Sequence, residues 1–136
     1  MEPIDFYVLP SATDEAWLTF VCKLTEKIYR LGKRCFIWVD DFDIAEQLDE
    51  HLWAFRADSF VPHGIEENEL PVCIGSDLPP ADTVEVLINL SATPSEAPFV
   101  RQVEILDQQP ERLSAAREKY RFYQQAKRPL KTHKLS

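Results

Sequence analysis

Residues 83–90, TVEVLINL, constrain the fold of this chain more than any other stretch. A run so dense in Val, Leu and Ile reads as a central strand of a buried sheet. Four other apolar runs read as strands: residues 4–9, ended by Pro10 and Ser11, then 35–39, 71–75 and 100–106. Helical stretches separate them. Thr13, Asp14 and Glu15 supply a capping residue and early acids for a first helix. Trp17, Phe20, Val21, Leu24, Ile28 and Leu31 form its apolar stripe, and Gly32 is a suitable stop. Asp40 and Asp41 cap a second helix running to about Ala54, and Pro110 opens a third that runs to about Ala126. Strands alternating with helices predict a three-layer α/β/α domain around a mostly parallel sheet. The strand order does not follow from the pattern.

A chain of 136 residues, 45% of them apolar, is the size of one domain. Residues 1–128 are expected to form it and residues 129–136 a basic tail. No apolar run reaches the ~20 residues of a membrane span, and no secretory leader is legible, so a cytoplasmic protein with no membrane partner is expected. Cys22, Cys35 and Cys73 show no C-x-x-C spacing and read as small buried hydrophobes. The net charge of -8 is unevenly spread. Residues 111–136 carry eight Lys or Arg against Glu111 and Glu118, while residues 1–110 carry 21 acidic and seven basic side chains. An acidic body repels nucleic acid, whereas a basic carboxyl end attracts polyanions or acidic peptides.

Little catalytic chemistry is legible. Gly32, Gly64 and Gly75 stand far apart, so no phosphate-cradling loop exists and no cofactor is expected. Asp40, Asp41 and Asp43 follow a buried strand, where clustered carboxylates could hold Mg²⁺ in a small phosphoryl-transfer enzyme. Capping the second helix is the competing role for the same acids. His51, His63 and His133 accompany no nucleophile motif. The chain reads as a binding module.

Two stretches stand out as candidate surfaces. In residues 48–63, LDEHLWAFRADSFVPH, a helix gives way to a polar segment at 56–58 and a short extended piece at 59–63. Pro62 confines that piece to a sheet edge or a loop. Trp53 and Phe60 thus flank a helix end, either completing the core or forming anchors for a partner. In the third helix, at 100° per residue from Leu113, Ala116, Tyr120 and Tyr123 fall at about -60°, -20° and -80°. Arg117 and Arg121 fall at about +40° and +80°, bordering that stripe. Two guanidinium groups beside an aromatic ledge suit a peptide end that is both acidic and hydrophobic. A solvated basic edge on a core helix accounts for the same residues.

The segment LDEHLWAFRADSFVPH resembles the LDxxLWxxxxxSFVPH run of the chi subunits of bacterial DNA polymerase III. DFYVL at residues 5–9 and AAREKYRFY at 115–123 agree with that family as well. The resemblance implies a Rossmann-like fold and a non-catalytic accessory role in DNA replication. Such a subunit bridges the clamp loader, through the psi subunit, to the acidic, Phe-terminated tail of single-stranded-DNA-binding protein. It implies that Arg117, Tyr120 and Arg121, in the family's R-E-[KR]-Y-[KR] segment, receive that tail. It implies further that Trp53 and Phe60 meet psi, with DNA reached only indirectly. Direct contact of single strands by the basic carboxyl end is a separate expectation drawn from charge alone.

Overall fold

The computed structural model describes residues 2–55 and 60–136. Their order is β1 (Ile4–Val8), α1 (Asp14–Arg30), β2 (Cys35–Trp38), α2 (Phe42–Ala54), β3 (His63–Ile65) and β4 (Val72–Gly75). A short 3₁₀ turn (Ala81–Thr83), β5 (Val86–Asn89), β6 (Arg101–Leu106), α3 (Pro110–Gln125) and β7 (Leu130–Lys134) complete it. The strands make one parallel sheet in the order β3-β4-β2-β5-β6-β1-β7. β5, predicted as the central strand, stands in the middle. Val86, Leu87, Ile88 and Asn89 are all buried there. The α/β class and the single parallel sheet are as the sequence predicts.

Right-handed crossovers explain the layers. The chain leaves β1 through α1 toward β2, and β2 through α2 toward β3. From β6 it travels the opposite way, through α3, to β7. Helices on oppositely directed connections fall on opposite faces. The α1 and α2 side buries Trp17, Val21, Ile28 and Leu48 against Ile37, Ile74, Ile88 and Val103. On the other side α3 packs Ala116 and Tyr123 against Ile4, Phe6 and Leu106. Beside α3 no α-helix among the described residues covers Phe36, Cys73 and Leu87, and the loop residues Val84 and Phe99 close over them.

The helix signals work as predicted, with one exception. Thr13 accepts a hydrogen bond from Ala16 N and caps α1. Gly32 follows at φ 77°, a conformation that glycine adopts without strain. Leu31, expected on the apolar stripe, is instead the C-cap of α1 and 60% exposed. The three cysteines are free and buried, and burial pushes the Cys22 thiol up to about 12.

Two boundaries differ more. The extended piece expected to end at residue 63 runs on, since Gly64 and Ile65 pair with Cys73 and Ile74 in edge strand β3. A Cβ at Gly64 would sit 2.7 Å from Glu67 Cγ, so the turn behind this strand passes close over the glycine and a larger residue would displace the Glu67 side chain. Residues 129–136, expected as a basic tail, hold β7, which adds to β1 from Ile4↔Leu130 to Val8↔Lys134. Ile4 N donates to Pro129 O at 2.9 Å and Leu135 N to Val8 O at 3.0 Å at the two ends of that ladder. His133 stacks on Tyr7 and contacts the Asp5 carboxylate at 2.8 Å. Lysine-rich polar strands at sheet edges are a common guard against pairing with other chains, which is why this one looks like a tail in sequence. The extended piece expected over 59–63 is only partly visible, because residues 56–59 lie outside the described residues.

Candidate functional site

In an open parallel sheet, ligands bind outside the carboxyl ends of strands where the chain reverses direction. One such place lies between β6 and β1, and the protein's own side chains occupy it. Arg112 donates to Asp107 at 2.9 Å through both Nε and NH2, and to Asp14 at 2.7 Å. Its guanidinium carbon lies 4.4 Å from the centre of a Trp17 ring. Gln108 donates to Leu9 O and Ser11 O across the same gap. The cavity beside it measures about 160 Å³, half the ~300 Å³ at which ligand pockets begin.

That cavity is bordered by a buried ion pair. Lys119 Nζ donates to Glu104 Oε1 at 2.5 Å and to Ser91 O at 2.7 Å. The Glu104 carboxylate also accepts from Tyr123 OH at 2.8 Å and from Asn89 Nδ2 at 3.0 Å. Burial drives the Glu104 carboxyl up from its ordinary value, and Lys119 pulls it back down. Burial and the neighbouring Glu104 charge push the Tyr123 hydroxyl up as well. This network ties α3 to β6 and to the loop after β5. Sequence reading missed it, counting Lys119 only as one of the eight basic residues of 111–136. A signal was present: Lys119 is four residues before Tyr123 and three after Ala116, which places it on the stripe's own border.

The Asp40, Asp41 and Asp43 carboxylates do separate work. Asp41 accepts from Ile44 N at 3.0 Å as the N-cap of α2. Asp40 accepts from Ala92 N at 3.1 Å, across the sheet end, and Asp43 is exposed in the first turn. Among the described residues no three His, Cys, Asp or Glu side chains converge as a metal site would require. Asp41→Ala is expected to cost about 1 kcal/mol, the usual loss for a cap. Millimolar Mg²⁺ should leave the wild-type melting temperature unchanged. A rise of several degrees would show a metal site by mass action.

The aromatic candidates lie on the surface. Trp53 is 55% exposed and Phe60 63%, with ring centres 5.4 Å apart. Together they form one apolar patch at the end of α2. His63 is buried beneath it: its ring centre is 4.8 Å from that of Trp53, and its Nε2 is 3.2 Å from Asp49 Oδ1. The reading that both aromatics finish the core therefore fails.

The three α3 candidates share one side of the helix. Tyr120 is half-buried, its ring edge-to-face with Phe6 at 5.1 Å. Arg117 and Arg121 are exposed, and neither has a hydrogen bond or ion pair among the described residues. Elsewhere Arg30, Arg34, Arg101 and Arg112 all engage acceptors. Two guanidinium groups one turn apart thus retain full capacity for carboxylates, next to a partly open aromatic surface. No helix of the described residues is long and apolar enough to cross a membrane.

Residues 1–131 match the family model described as DNA polymerase III chi subunit, HolC. A Pseudomonas aeruginosa protein named DNA polymerase III subunit chi is 39% identical over 139 aligned residues, covering 99% of this chain and 98% of that one. The Escherichia coli protein of the same name is 39% identical over 69 residues, 48% of this chain and 47% of its own length. A match that spans nearly the whole chain, and includes both the Trp53 segment and α3, places this protein in the chi-subunit family of DNA polymerase III.

Proposed function

We propose that this chi-family protein is a non-catalytic bridge in the replicative polymerase. One surface receives the acidic, Phe-terminated tail of single-stranded-DNA-binding protein, and another docks on the psi subunit of the clamp loader. The observation that carries the first half is the unpaired state of Arg117 and Arg121 beside Tyr120. An acidic peptide ending in Phe offers several carboxylates and one large apolar ring, which these residues complement. The second half rests on the exposed Trp53 and Phe60 pair, since contiguous aromatic surface at an element end is typical of interface anchors. With the acidic body turned away from nucleic acid, DNA is reached through the partner.

Calorimetry with a synthetic acidic, Phe-terminated peptide tests the first surface. Arg117→Ala or Arg121→Ala is expected to weaken binding by roughly 1–3 kcal/mol, about ten- to a hundredfold. Both variants should melt like wild type, because neither side chain is buried. Amidating the peptide's carboxyl end and raising the salt should each reduce affinity as well. Wild-type affinity in both variants, indifferent to salt, would place the peptide elsewhere.

A further inference from the structure

The edge strand β7 gives the proposed peptide surface on α3 a second side. In a parallel pair, residues in register share a face. Leu130, Thr132 and Lys134 are in register with Ile4, Phe6 and Val8 of β1, the residues over which α3 lies. Lys131 and His133 point the other way, toward α1. His133 meets Asp5 and Tyr7 there, and Tyr7 in turn packs on Phe20 of α1.

On the α3 side an apolar strip is left partly open. Val8, Leu113, Tyr120 and Leu130 pack against the same small core, yet each is only partly buried. α3 rests on β6 and reaches Phe6 of β1 through Tyr120 and Tyr123, and β7 lies one strand further out. The strip therefore runs between α3 and β7. Arg117 and Arg121 border it along the helix. Lys134 borders it from the strand, exposed and without a hydrogen bond or ion pair among the described residues.

We infer that β7 is the outer wall of the peptide site, and that Lys134 binds acidic side chains of the same peptide whose end lies against Arg117, Tyr120 and Arg121. This rests on the reading of α3 given above and extends it to a segment that looks like a solvated tail. The occupant is an acidic peptide with a hydrophobic end. Cations on both borders of an apolar strip attract such a chain along its length, whereas a single basic edge would hold it only at one point. The strip buries the apolar group between them.

Lys131 is the internal control. It lies on the same strand, is also exposed, and carries the same charge on the opposite face. In the full-length protein, Lys134→Ala is expected to weaken the acidic Phe-terminated peptide about threefold, and Lys134→Glu about tenfold. Lys131→Glu should change affinity less than twofold, and all three variants should melt like wild type. Equal losses in Lys134→Glu and Lys131→Glu would overturn the inference, because the effect would then be one of net charge. Unchanged affinity in Lys134→Glu, with Arg117→Ala still impaired, would remove β7 from the site and leave α3 in it. If Arg117→Ala also binds normally, the α3 reading and this extension fall together.

Discussion

Lys119→Met is expected to destabilise the protein by about 3–5 kcal/mol at pH 7, the cost of stranding a buried charge. The carboxylate left behind is Glu104, 1% exposed, with Tyr123 and Asn89 still donating to it. The loss should depend on pH in a defined direction. Glu104 already titrates above its ordinary value of 4.5 in the folded chain because it is buried, and removal of Lys119 raises it further. A carboxyl whose folded pKa is raised contributes stability that is present below the unfolded value and lost as pH rises through the folded one. The variant should therefore recover part of its deficit as the pH is lowered from 7 toward 4.5. Adding Glu104→Gln should restore most of the stability at pH 7, since a neutral amide needs no counter-charge. Urea denaturation at pH 7 and pH 5 measures all of this, and a single variant as stable as wild type at pH 7 would refute it.

The second large effect concerns binding. Trp53→Ala is expected to reduce affinity for the psi partner by 2–4 kcal/mol, roughly thirty- to a thousandfold, as loss of a buried aromatic anchor does. Stability should change far less, by about 1 kcal/mol, because the indole is 55% exposed and rests mainly on Phe60 and His63. Phe60→Ala should act on the same interface, and the double substitution should cost less than the sum of the two, since their rings touch. Surface-immobilised psi titrated with each variant gives the affinities. If Trp53→Ala binds psi normally, the patch serves another purpose.

The strands and helices most legible in sequence are those with a continuous buried strand or apolar stripe. β5, β2 and α1 announce themselves because their side chains are selected for water exclusion, which leaves a strong periodic mark. β7 was not legible because it is stabilised mostly by backbone pairing to β1 and by the contacts of His133 with Asp5 and Tyr7, with Leu130 its one side chain on the core beneath α3. Its partners are more than a hundred residues away, so no local pattern reports them. The same holds for Lys119. A lysine on a basic helix looks solvated until the fold brings Glu104 beneath it. For the proposed site residues Trp53, Phe60, Arg117 and Arg121, the sequence alone left a core role or a solvated edge open, and the family resemblance decided between the readings. Tyr120 lay on the predicted stripe, and only the structure shows how much of its ring stays open.

The place of β1 in the sheet has a kinetic consequence. It is the first strand to be made, yet its neighbours are β6 and β7, from residues 101–106 and 130–134. The remaining strands, β3, β4, β2 and β5, can pair among themselves long before that. β1 must therefore wait, unpaired, through most of synthesis, while the entropic cost of closing so long a loop slows its docking. The apolar strip between α3 and β7 comes into being only at that last closure. A nascent or truncated chain can carry every arginine of α3 and still have no floor on which a peptide could lie, so binding of the proposed peptide is expected to report completion of the fold.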